Sequence, residues 1–511
     1  MSDTSANNKR IAKNTMLLYI RMLFLMLISL YTSRVVLNAL GVDDYGIYNV
    51  VGGVVAMFSV LSGSLSAAIS RFITFELGNG DSEKLRRVFI SSINVQVLLI
   101  IIVTILLETV GTWFLNHKMV IPVERMVAAN WVFQFSVITF AINLWSVPYN
   151  AMIIAHEKMS AFAYISIFDA IAKLAIAFLI LKNPFDRLIY YGSLILIVGI
   201  IQRYLYTSYC KRHFVECYYN FSFYKDTTKE LFGFAGWNFI GAASAVLRDQ
   251  GGNLIINLFC GPAVNAARGV AMSVNGAVTG FVSNFMMALN PQITKSYASG
   301  NYQYMFGLIF QGARFSYYIL LVLALPILFT THYLLEIWLG IVPEHAANFV
   351  RLVLIFTMSE SLAHPLVTAM LATGKIRNYQ IIVGGCQLLN LPLSYLFLSY
   401  GCPPEAVFFA AIGVSILCEM ARLVMLRGMI NLSVRTFMKE VYLKVIFVTV
   451  ISMICPYILT SYVKLNNIEN FLLVCIISVT SAVVSIYVIG CNKHDKEMIH
   501  KAIAKLVNYI K

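Results

Sequence analysis

Residues 88–107 read VFISSINVQVLLIIIVTILL, about twenty consecutive residues without a charged side chain. A helix of that length crosses the hydrocarbon core of a bilayer. In lipid every backbone N–H and C=O must be bonded internally, which a helix achieves. The stretch therefore predicts a transmembrane helix, and similar apolar blocks, separated by short polar breaks, recur along the whole chain.

The composition agrees with a membrane protein. Of 511 residues, 59% are hydrophobic and only 12% are charged, whereas a soluble domain carries about 25% charged residues. So few charges cannot cover a soluble surface of this size. We therefore predict an all-α integral membrane protein of about 14 transmembrane helices. The predicted spans are 14–38, 45–68, 88–110, 127–152, 160–182, 187–208, 231–257, 264–289, 311–335, 346–372, 379–400, 405–428, 440–462 and 468–490.

The distribution of Lys and Arg predicts the orientation. With the N-terminus inside, the inside segments hold about 24 basic residues and the outside loops about five, as the positive-inside rule requires. One missed or extra span would invert this bias further along the chain. We expect both termini on the cytoplasmic side. The net charge of +14 then reflects membrane topology, so no nucleic-acid partner is expected.

An internal repeat organises the predicted helices. Residues 148–158, PYNAMIIAHEK, resemble residues 365–375, PLVTAMLATGK, and residues 128–132, AANWV, resemble residues 346–350, AANFV. The offset is about 218 residues. A weaker similarity pairs residues 46–58 with residues 269–281. Six spans in each repeat make the two repeats parallel, and a binding site is expected at their interface.

The repeat predicts the division of the chain. We expect a cytoplasmic N-terminus at 1–13, a six-helix lobe at 14–208, a cytoplasmic linker at 209–230, a second six-helix lobe at 231–430, helices 13 and 14 within 431–490, and a basic cytoplasmic tail at 491–511. Ile499, Ile503, Leu506 and Ile510 share one helical face of the tail. The tail therefore predicts an amphipathic helix on the inner leaflet, with docking of a cytosolic partner as the alternative.

Four arginines predict a cationic cavity. An ionisable side chain in hydrocarbon costs roughly 2.5–3.5 kcal/mol, so it usually faces a cavity or a partner. Arg21 and Arg34 lie on predicted helix 1, Arg248 on helix 7 and Arg268 on helix 8. A guanidinium bonds two oxygens at once, which suits phosphate or carboxylate. If these helices line the gap between the lobes, the four residues bind an anionic substrate. The alternative, strongest for Arg34 and Arg268 near span ends, is that they reach the headgroups.

Three other side chains are candidates for ion coupling. Glu360 and His364 are one turn apart on predicted helix 10, directly before Pro365, which should loosen the helix. A carboxylate beside an imidazole at membrane depth is able to carry a proton, and a satisfied polar pair is the alternative. Asp169 is the main carboxylate candidate in the N-terminal half.

Two charged pairs have the spacing of neighbours on one helical face. Asp169 and Lys173 are four residues apart on helix 5, and Glu419 and Arg422 are three apart on helix 12. For both pairs the favoured interpretation is a self-neutralised structural ion pair.

The sequence contains no recognisable catalytic or metal-binding pattern. There is no P-loop, HExxH, GxSxG or dinucleotide-binding glycine motif, and the nine cysteines form no CxxC. The predicted outer loops are short. We expect no enzyme activity, no metal and no cofactor.

The opening segment carries a family resemblance. The basic stretch Lys9-Arg-Ile-Ala-Lys-Asn14 leads into helix 1, and Leu40-Gly-Val-Asp-Asp-Tyr45-Gly46 leads into helix 2. Together with two parallel six-helix repeats and two further helices, this pattern resembles the Wzx-type polysaccharide flippases of the multidrug/oligosaccharidyl-lipid/polysaccharide exporter superfamily. The resemblance covers the whole chain, and its one distinctive motif is the Leu-Gly-x₃-Tyr-Gly loop.

The resemblance implies a function. The two lobes would alternate access around a central cationic cavity and flip a polyprenyl-pyrophosphate-linked oligosaccharide from the inner to the outer leaflet of a bacterial plasma membrane. The arginines would hold the pyrophosphate. The implied pathway is polysaccharide, O-antigen and lipopolysaccharide biosynthesis. The implied partners are the lipid-linked substrate, membrane lipids and other polysaccharide-assembly membrane proteins.

Two other functions remain open. The first is a cation-coupled multidrug exporter of the same fold. Many of these need a carboxylate in the N-terminal half, whereas helix 1 here has no Asp or Glu, and a basic cavity would repel cationic drugs. The second is a membrane polysaccharide polymerase or ligase, which usually needs a sizeable outer loop.

Overall fold

The computed structural model describes residues 2–56, 59–117, 121–181, 186–220, 222–339, 342–463, 467–492 and 495–496. Within these ranges the chain is helical and forms no β-strand. Helices α1 to α17 are, in chain order, Ser2–Ala56, Ser59–Asn79, Ser82–Leu106, Thr112–His117, Met126–Ala155, Met159–Leu181, Arg187–His213, Lys225–Ala298, Tyr302–Leu339, Ala346–Ser361, His364–Thr373, Arg377–Leu388, Asn390–Ser399, Ala406–Ile430, Val434–Phe437, Lys444–Tyr462 and Ile468–Ser485. Short π-helical turns lie at Leu107–Gly111, Met438–Leu443 and Ile486–Gly490, and 3₁₀ turns at Val123–Arg125 and Val215–Cys217.

Twelve stretches of the described chain are long and apolar enough to cross a membrane. They are Ser82–His117, Val123–Ala155, Met159–Ile180, Arg187–His213, Lys225–Cys260, Ala267–Ala298, Tyr302–Leu339, Ala346–Thr373, Arg377–Ser399, Ala406–Ile430, Val434–Tyr462 and Ile468–Gly490. These correspond to predicted spans 3 to 14. Predicted spans 1 and 2 lie within α1 and α2, so the all-helical membrane architecture of about 14 helices is confirmed.

Three of the predicted breaks interrupt the helices. Gly41 has φ 82° and ψ 170° and divides α1 into two helices, a conformation that favours glycine. Gly80 (φ 75°) separates α2 from α3, where the side chain of Asp81 accepts a hydrogen bond from the backbone N–H of Lys84 at 3.0 Å. Pro365 stands in the first turn of α11, directly after the break from α10.

The break predicted between spans 231–257 and 264–289 does not interrupt helix α8. The helical backbone of α8 continues through Gly261 and Pro262, although the apolar stretches on either side count as separate spans. A proline removes one backbone hydrogen bond, and the residues before and after it are able to remain helical.

The chain forms two compact units. Unit 1 comprises Met1–Ala243 and Thr294–Asn301, and unit 2 comprises Ser244–Ile293 and Tyr302–Lys511. In unit 1, α5 packs against α7 and α1 against α6, and a core of aliphatic and aromatic side chains includes Val132, Phe133 and Val137. In unit 2, α9 packs against α10 and α17, and α10 packs against α14. The apolar faces of α5, α10 and their neighbours therefore form a helical core within each unit.

The two units contain a left-handed turn at equivalent positions of the repeat. Gly374 (φ 75°) ends α11, and Glu157 (φ 57°) follows α5. A side chain in this conformation costs about 1–2 kcal/mol. The Glu157 carboxylate is 1% exposed and lies 2.6 Å from Arg10 and 2.7 Å from Lys295. These ion pairs offset the backbone strain at Glu157. Gly374, at the equivalent position of unit 2, has no such strain because it has no side chain.

Most of the C-terminal tail, including Ile499, Ile503, Leu506 and Ile510, lies outside the described residues, so its predicted amphipathic helix stays a prediction. The described start of the tail is anchored in unit 2. Asp495 lies 3.1 Å from the guanidinium of Arg314, which is 2% exposed, and accepts a hydrogen bond from Gln311 at 2.7 Å. Arg314 had no partner near it in the sequence, and the structure supplies one 181 residues away.

Candidate functional site

Unit 2 contains a cavity that brings together two of the four predicted arginines. Arg248 and Arg268 of α8 line it with Glu360 of α10 and His364 of α11. The cavity has a volume of about 170 Å³. All four residues lie on helices long and apolar enough to span a membrane, so their charges cluster where an uncompensated charge is costly.

Arg248 is paired with two carboxylates. Its Nη1 lies 2.8 Å from Glu360 Oε1 and its Nε 2.9 Å from Asp249 Oδ1. The guanidinium also lies 5.3 Å from the centre of the Phe356 ring, within reach of a cation–π interaction. The charge of Arg248 is therefore matched inside the cavity by two carboxylates.

The structure adds two features to the sequence-based hypothesis. Glu360 and His364 both line the cavity, and the ion-pair partner of Glu360 is Arg248. The guanidinium is permanently charged and offers several donors in one plane, so it is the stronger partner for a carboxylate. Asp249 was not identified as a candidate, and it makes the cavity less cationic than expected.

Arg268 is in a different situation. It is buried, and its Nη1 donates to the backbone oxygen of Asp249 at 3.1 Å and to the side-chain oxygen of Asn253. Its Nε has no hydrogen-bond partner, and among the described residues it forms no ion pair. Gly252 leaves room for the guanidinium of Arg268, because a Cβ at that position would lie 3.1 Å from Arg268 Nη2. Among the described residues, the hydrogen bonds of Arg268 therefore go to neutral oxygens, while the Asp249 carboxylate lines the same cavity.

Neutral polar groups complete the cavity of unit 2. The hydroxyl of Thr357 donates to Oδ1 of Asn275 at 2.5 Å, and the buried Oδ1 of Asn390 has no hydrogen-bond partner among the described residues. With two guanidiniums, two carboxylates and an imidazole, the cavity is able to bind an anion at its arginines or a proton at Glu360.

The other predicted site residues lie in unit 1. The guanidinium of Arg21 lies 4.3 Å from the centre of the Phe162 ring, and its Nε has no hydrogen-bond partner among the described residues. The side chain of Arg34 lies outside the described residues. Asp169 and Lys173 form an ion pair at 2.8 Å, as the favoured structural interpretation predicts. The substrate and coupling roles of these residues stay predictions.

Unit 1 has its own cavity, of about 200 Å³. Side chains from α1, α5 and α7 surround it, among them Tyr48, Ser136, Thr139, Asn143 and Ile195. None of the described residues that line it is acidic, basic or a histidine. The sequence did not indicate this cavity, because no Asp, Glu, Lys, Arg or His of its described lining marks it.

Equivalent ion pairs hold the ends of helices in the two units. In unit 1, Arg125 lies 2.6 Å from Asp186, before α7, and 2.5 Å from Asp44. In unit 2, His345 lies 2.8 Å from Glu405, before α14. Burial raises the pKa of both acidic side chains, but hydrogen bonds from their partners and from backbone or amide N–H groups outweigh burial, so the net pKa of each is lowered.

Comparison with known proteins identifies the fold. No protein-family model and no curated protein matches the chain. Solved structures do match: MATE in the bent conformation has 13% identity and a TM-score of 0.73, covering 84% of this chain and 97% of that one. An outward-facing multidrug resistance MATE transporter of the MOP superfamily has 12% identity and a TM-score of 0.71, covering 83% and 95%.

A third solved structure with the same fold is described by the polarity of its own binding pocket. It is a MOP superfamily transporter from Pyrococcus furiosus Vc1, with 12% identity and a TM-score of 0.70, covering 83% of this chain and 95% of that one. For that protein, a binding pocket of reverse polarity is described as suggesting a different function. Identities this low show the fold and leave the Wzx-type assignment a prediction. The chain is a multi-pass membrane protein, with twelve candidate spans in its described part, and it has the fold seen in MATE transporters of the MOP superfamily.

Proposed function

We propose that the protein is a flippase that moves a polyprenyl-pyrophosphate-linked oligosaccharide from the inner to the outer leaflet of a bacterial plasma membrane by alternating access. The observation that carries this proposal is the cavity of unit 2, where Arg248 and Arg268 lie together on membrane-spanning helices. Paired guanidiniums bind the oxygens of phosphate with charge-assisted hydrogen bonds. Both termini are cytoplasmic in this proposal, and the other partners are polysaccharide-assembly membrane proteins.

The two arginines have different roles in the proposal. Arg268, whose hydrogen bonds go to neutral oxygens, binds the first phosphate without breaking an ion pair. Arg248 must exchange Glu360 for the second phosphate. A carboxylate that loses its cation inside the membrane binds a proton, so Glu360 couples proton uptake to the arrival of the substrate. Asp249 keeps Arg248 oriented through the exchange.

A cation-coupled multidrug exporter is the second candidate. The observation that favours it is the pair of carboxylates, Asp249 and Glu360, that faces the cavity of unit 2. Because these carboxylates balance the two arginines, the repulsion of cationic drugs expected from the sequence is weakened. In this candidate function Glu360, not Arg268, binds the coupling cation or the drug.

The test compares lipid-linked oligosaccharide in the two leaflets of cells that lack the gene and are complemented with variants. We expect deletion to trap the lipid-linked sugar on the inner leaflet. Arg268→Ala should lower the flipping rate about 10- to 100-fold, because it removes hydrogen bonds to a charged group worth about 1.5–3 kcal/mol. The matched control is Arg351→Ala, which removes an exposed arginine from α10 and should leave the rate unchanged.

The outcomes separate the two candidate functions. If the lipid-linked sugar reaches the outer leaflet normally in the deletion strain, and no redundant flippase is present, the flippase proposal is wrong. If the deletion strain is instead sensitive to cationic drugs, the two variants tell which function it has lost. Rescue of resistance by the Arg268→Ala protein but not by the Glu360→Gln protein would support the multidrug exporter.

A further inference from the structure

The uncharged cavity of unit 1 occupies the same place in its repeat as the charged cavity of unit 2. Helices α5 and α7 of unit 1 correspond to α10 and α14 of unit 2 at the repeat offset of about 218 residues. Two pairs of positions at this offset line both cavities, Phe135 with Val353 and Thr139 with Thr357, and Gly192 and Ala411 lie within one residue of it. The two cavities are therefore counterparts within one repeated arrangement of helices.

Three polar side chains of α5 line the cavity of unit 1. Ser136, Thr139 and Asn143 follow each other at helical spacing on one face. The Thr139 hydroxyl donates to the backbone oxygen of Phe135 at 2.7 Å and retains its capacity to accept. Among the described residues, Ser136 and Asn143 have no side-chain hydrogen-bond partner. The cavity thus presents an amide and a hydroxyl for a ligand.

Aromatic rings form another part of the wall. Tyr48 and Phe140 both line the cavity, and the Tyr48 ring packs edge-on against Tyr191, with centroids 4.8 Å apart and planes at 64°. Gly192 makes room for the ring of Phe135, because a Cβ at that position would lie 3.1 Å from Phe135 Cδ2. The rings are therefore held in place by packing.

This combination of groups selects a class of ligand. An anion finds no cation in the lining, and a wholly apolar molecule leaves the Asn143 amide and the Ser136 hydroxyl unsatisfied, which is costly. A neutral molecule with many hydroxyl groups satisfies both, while its C–H faces pack on the aromatic rings. Neutral sugar residues have this chemistry.

We infer that the cavity of unit 1 binds neutral sugar residues of the transported glycan, while the cavity of unit 2 binds its pyrophosphate. This inference rests on the proposed flippase function and adds a sugar-binding role for unit 1.

The test uses the full chain in proteoliposomes and two substrates, a polyprenyl pyrophosphate that carries an oligosaccharide of neutral sugars and one that carries a single sugar. Asn143→Leu removes the amide with little change of volume at an exposed position. We expect it to lower flipping of the oligosaccharide about tenfold, by the loss of hydrogen bonds to the sugar, and to leave the single-sugar substrate unchanged. Ser146→Ala, on the same helix but outside the cavity lining, is the control and should change neither rate.

The two substrates keep failure of the inference distinct from failure of the proposed function. A wild-type protein that flips neither substrate overturns the proposed function and the inference with it. A wild-type protein that flips both, with an Asn143→Leu variant that slows both equally or neither, leaves the flippase in place and overturns the sugar site alone.

Discussion

Unit 1 and unit 2 place a cavity at corresponding positions of a shared helical repeat, but only the cavity of unit 2 carries charge. Thr139 and Thr357 are equivalent and line the two cavities. Around Thr357 the lining contains Arg248, Arg268 and Glu360, whereas the described residues around Thr139 have aromatic, aliphatic and neutral polar side chains. The helical frame thus fixes where a cavity forms, and the side chains added to it decide what the cavity is able to bind.

The two cavities should also differ in how a substitution in them changes the stability of the protein. In the cavity of unit 1, loss of one polar side chain leaves no charge behind. In unit 2 the charges are mutually dependent, because Arg248 holds two carboxylates and removal of a cation from a buried cluster leaves anions without compensation. The two cavities should therefore respond very differently to substitution of one residue.

The largest effect is expected from Arg248→Met. We expect a loss of about 3 kcal/mol in the free energy of unfolding, at the low end for a broken buried ion pair, since Arg248 is 12% exposed and Glu360 30%. The double variant Arg248→Met/Glu360→Leu should recover most of this stability without recovering transport. Thermal unfolding of the purified protein in detergent, with all four members of the double-mutant cycle, measures the coupling.

The corresponding substitution in unit 1, Thr139→Val, should change stability by less than about 1 kcal/mol. A coupling near zero between Arg248 and Glu360, or a loss for Thr139→Val as large as that for Arg248→Met, would show that the two cavities do not differ in the way that their charges indicate.

A second comparison uses the left-handed turn that the units share. Glu157→Gly makes the turn of unit 1 like that of unit 2 at Gly374 and relieves the backbone strain, but it removes the carboxylate that contacts Arg10 and Lys295. We expect a net loss of about 1–2 kcal/mol in the free energy of unfolding, because two cations lose their partner. Gly374→Ala should cost about 1 kcal/mol through strain alone.

Thermal unfolding in detergent measures both variants. A Glu157→Gly variant more stable than the wild type would mean that the strain at Glu157 outweighs its ion pairs, and that the carboxylate does not stabilise the turn.

Local features of the sequence predict the helices well. The apolar block at 88–107 predicts a span, and the described helix Ser82–His117 contains it. Asp169 and Lys173 are paired as predicted, because both partners lie one turn apart on one helix. The turn at Gly80 and the break before Pro365 follow from backbone preferences that do not depend on the rest of the fold.

Contacts between distant residues could not be predicted in this way. Arg248 and Glu360 are 112 residues apart in the sequence, so no helical spacing connects them, and the search for local partners assigned Glu360 to His364 instead. Glu419 and Arg422 have suitable spacing on α14, yet among the described residues they form no ion pair, so helical spacing alone does not decide whether a pair forms. The cavity of unit 1 is marked by no Asp, Glu, Lys, Arg or His in its described lining.

The smallest expected effect concerns the pairs at the helix ends, Arg125 with Asp186 in unit 1 and His345 with Glu405 in unit 2. Both Asp186 and Glu405 have lowered pKa values, so the stability that each contributes is present above its unfolded-state pKa and is lost as the pH falls through its lowered folded-state pKa. The carboxylate of Asp186 is paired with Arg125 in unit 1, and that of Glu405 with His345 in unit 2.

Asp186→Asn and Glu405→Gln each remove one of these carboxylates. Each should lower the free energy of unfolding by about 0.5–1 kcal/mol at about pH 7, and by less at about pH 3, where the stabilisation by a carboxylate of lowered pKa is being lost in the wild type. Thermal unfolding of the wild type and both variants in detergent at the two pH values measures the losses. A loss of the same size at both pH values would mean that the negative charge does not contribute, and that the amide variants act through packing alone.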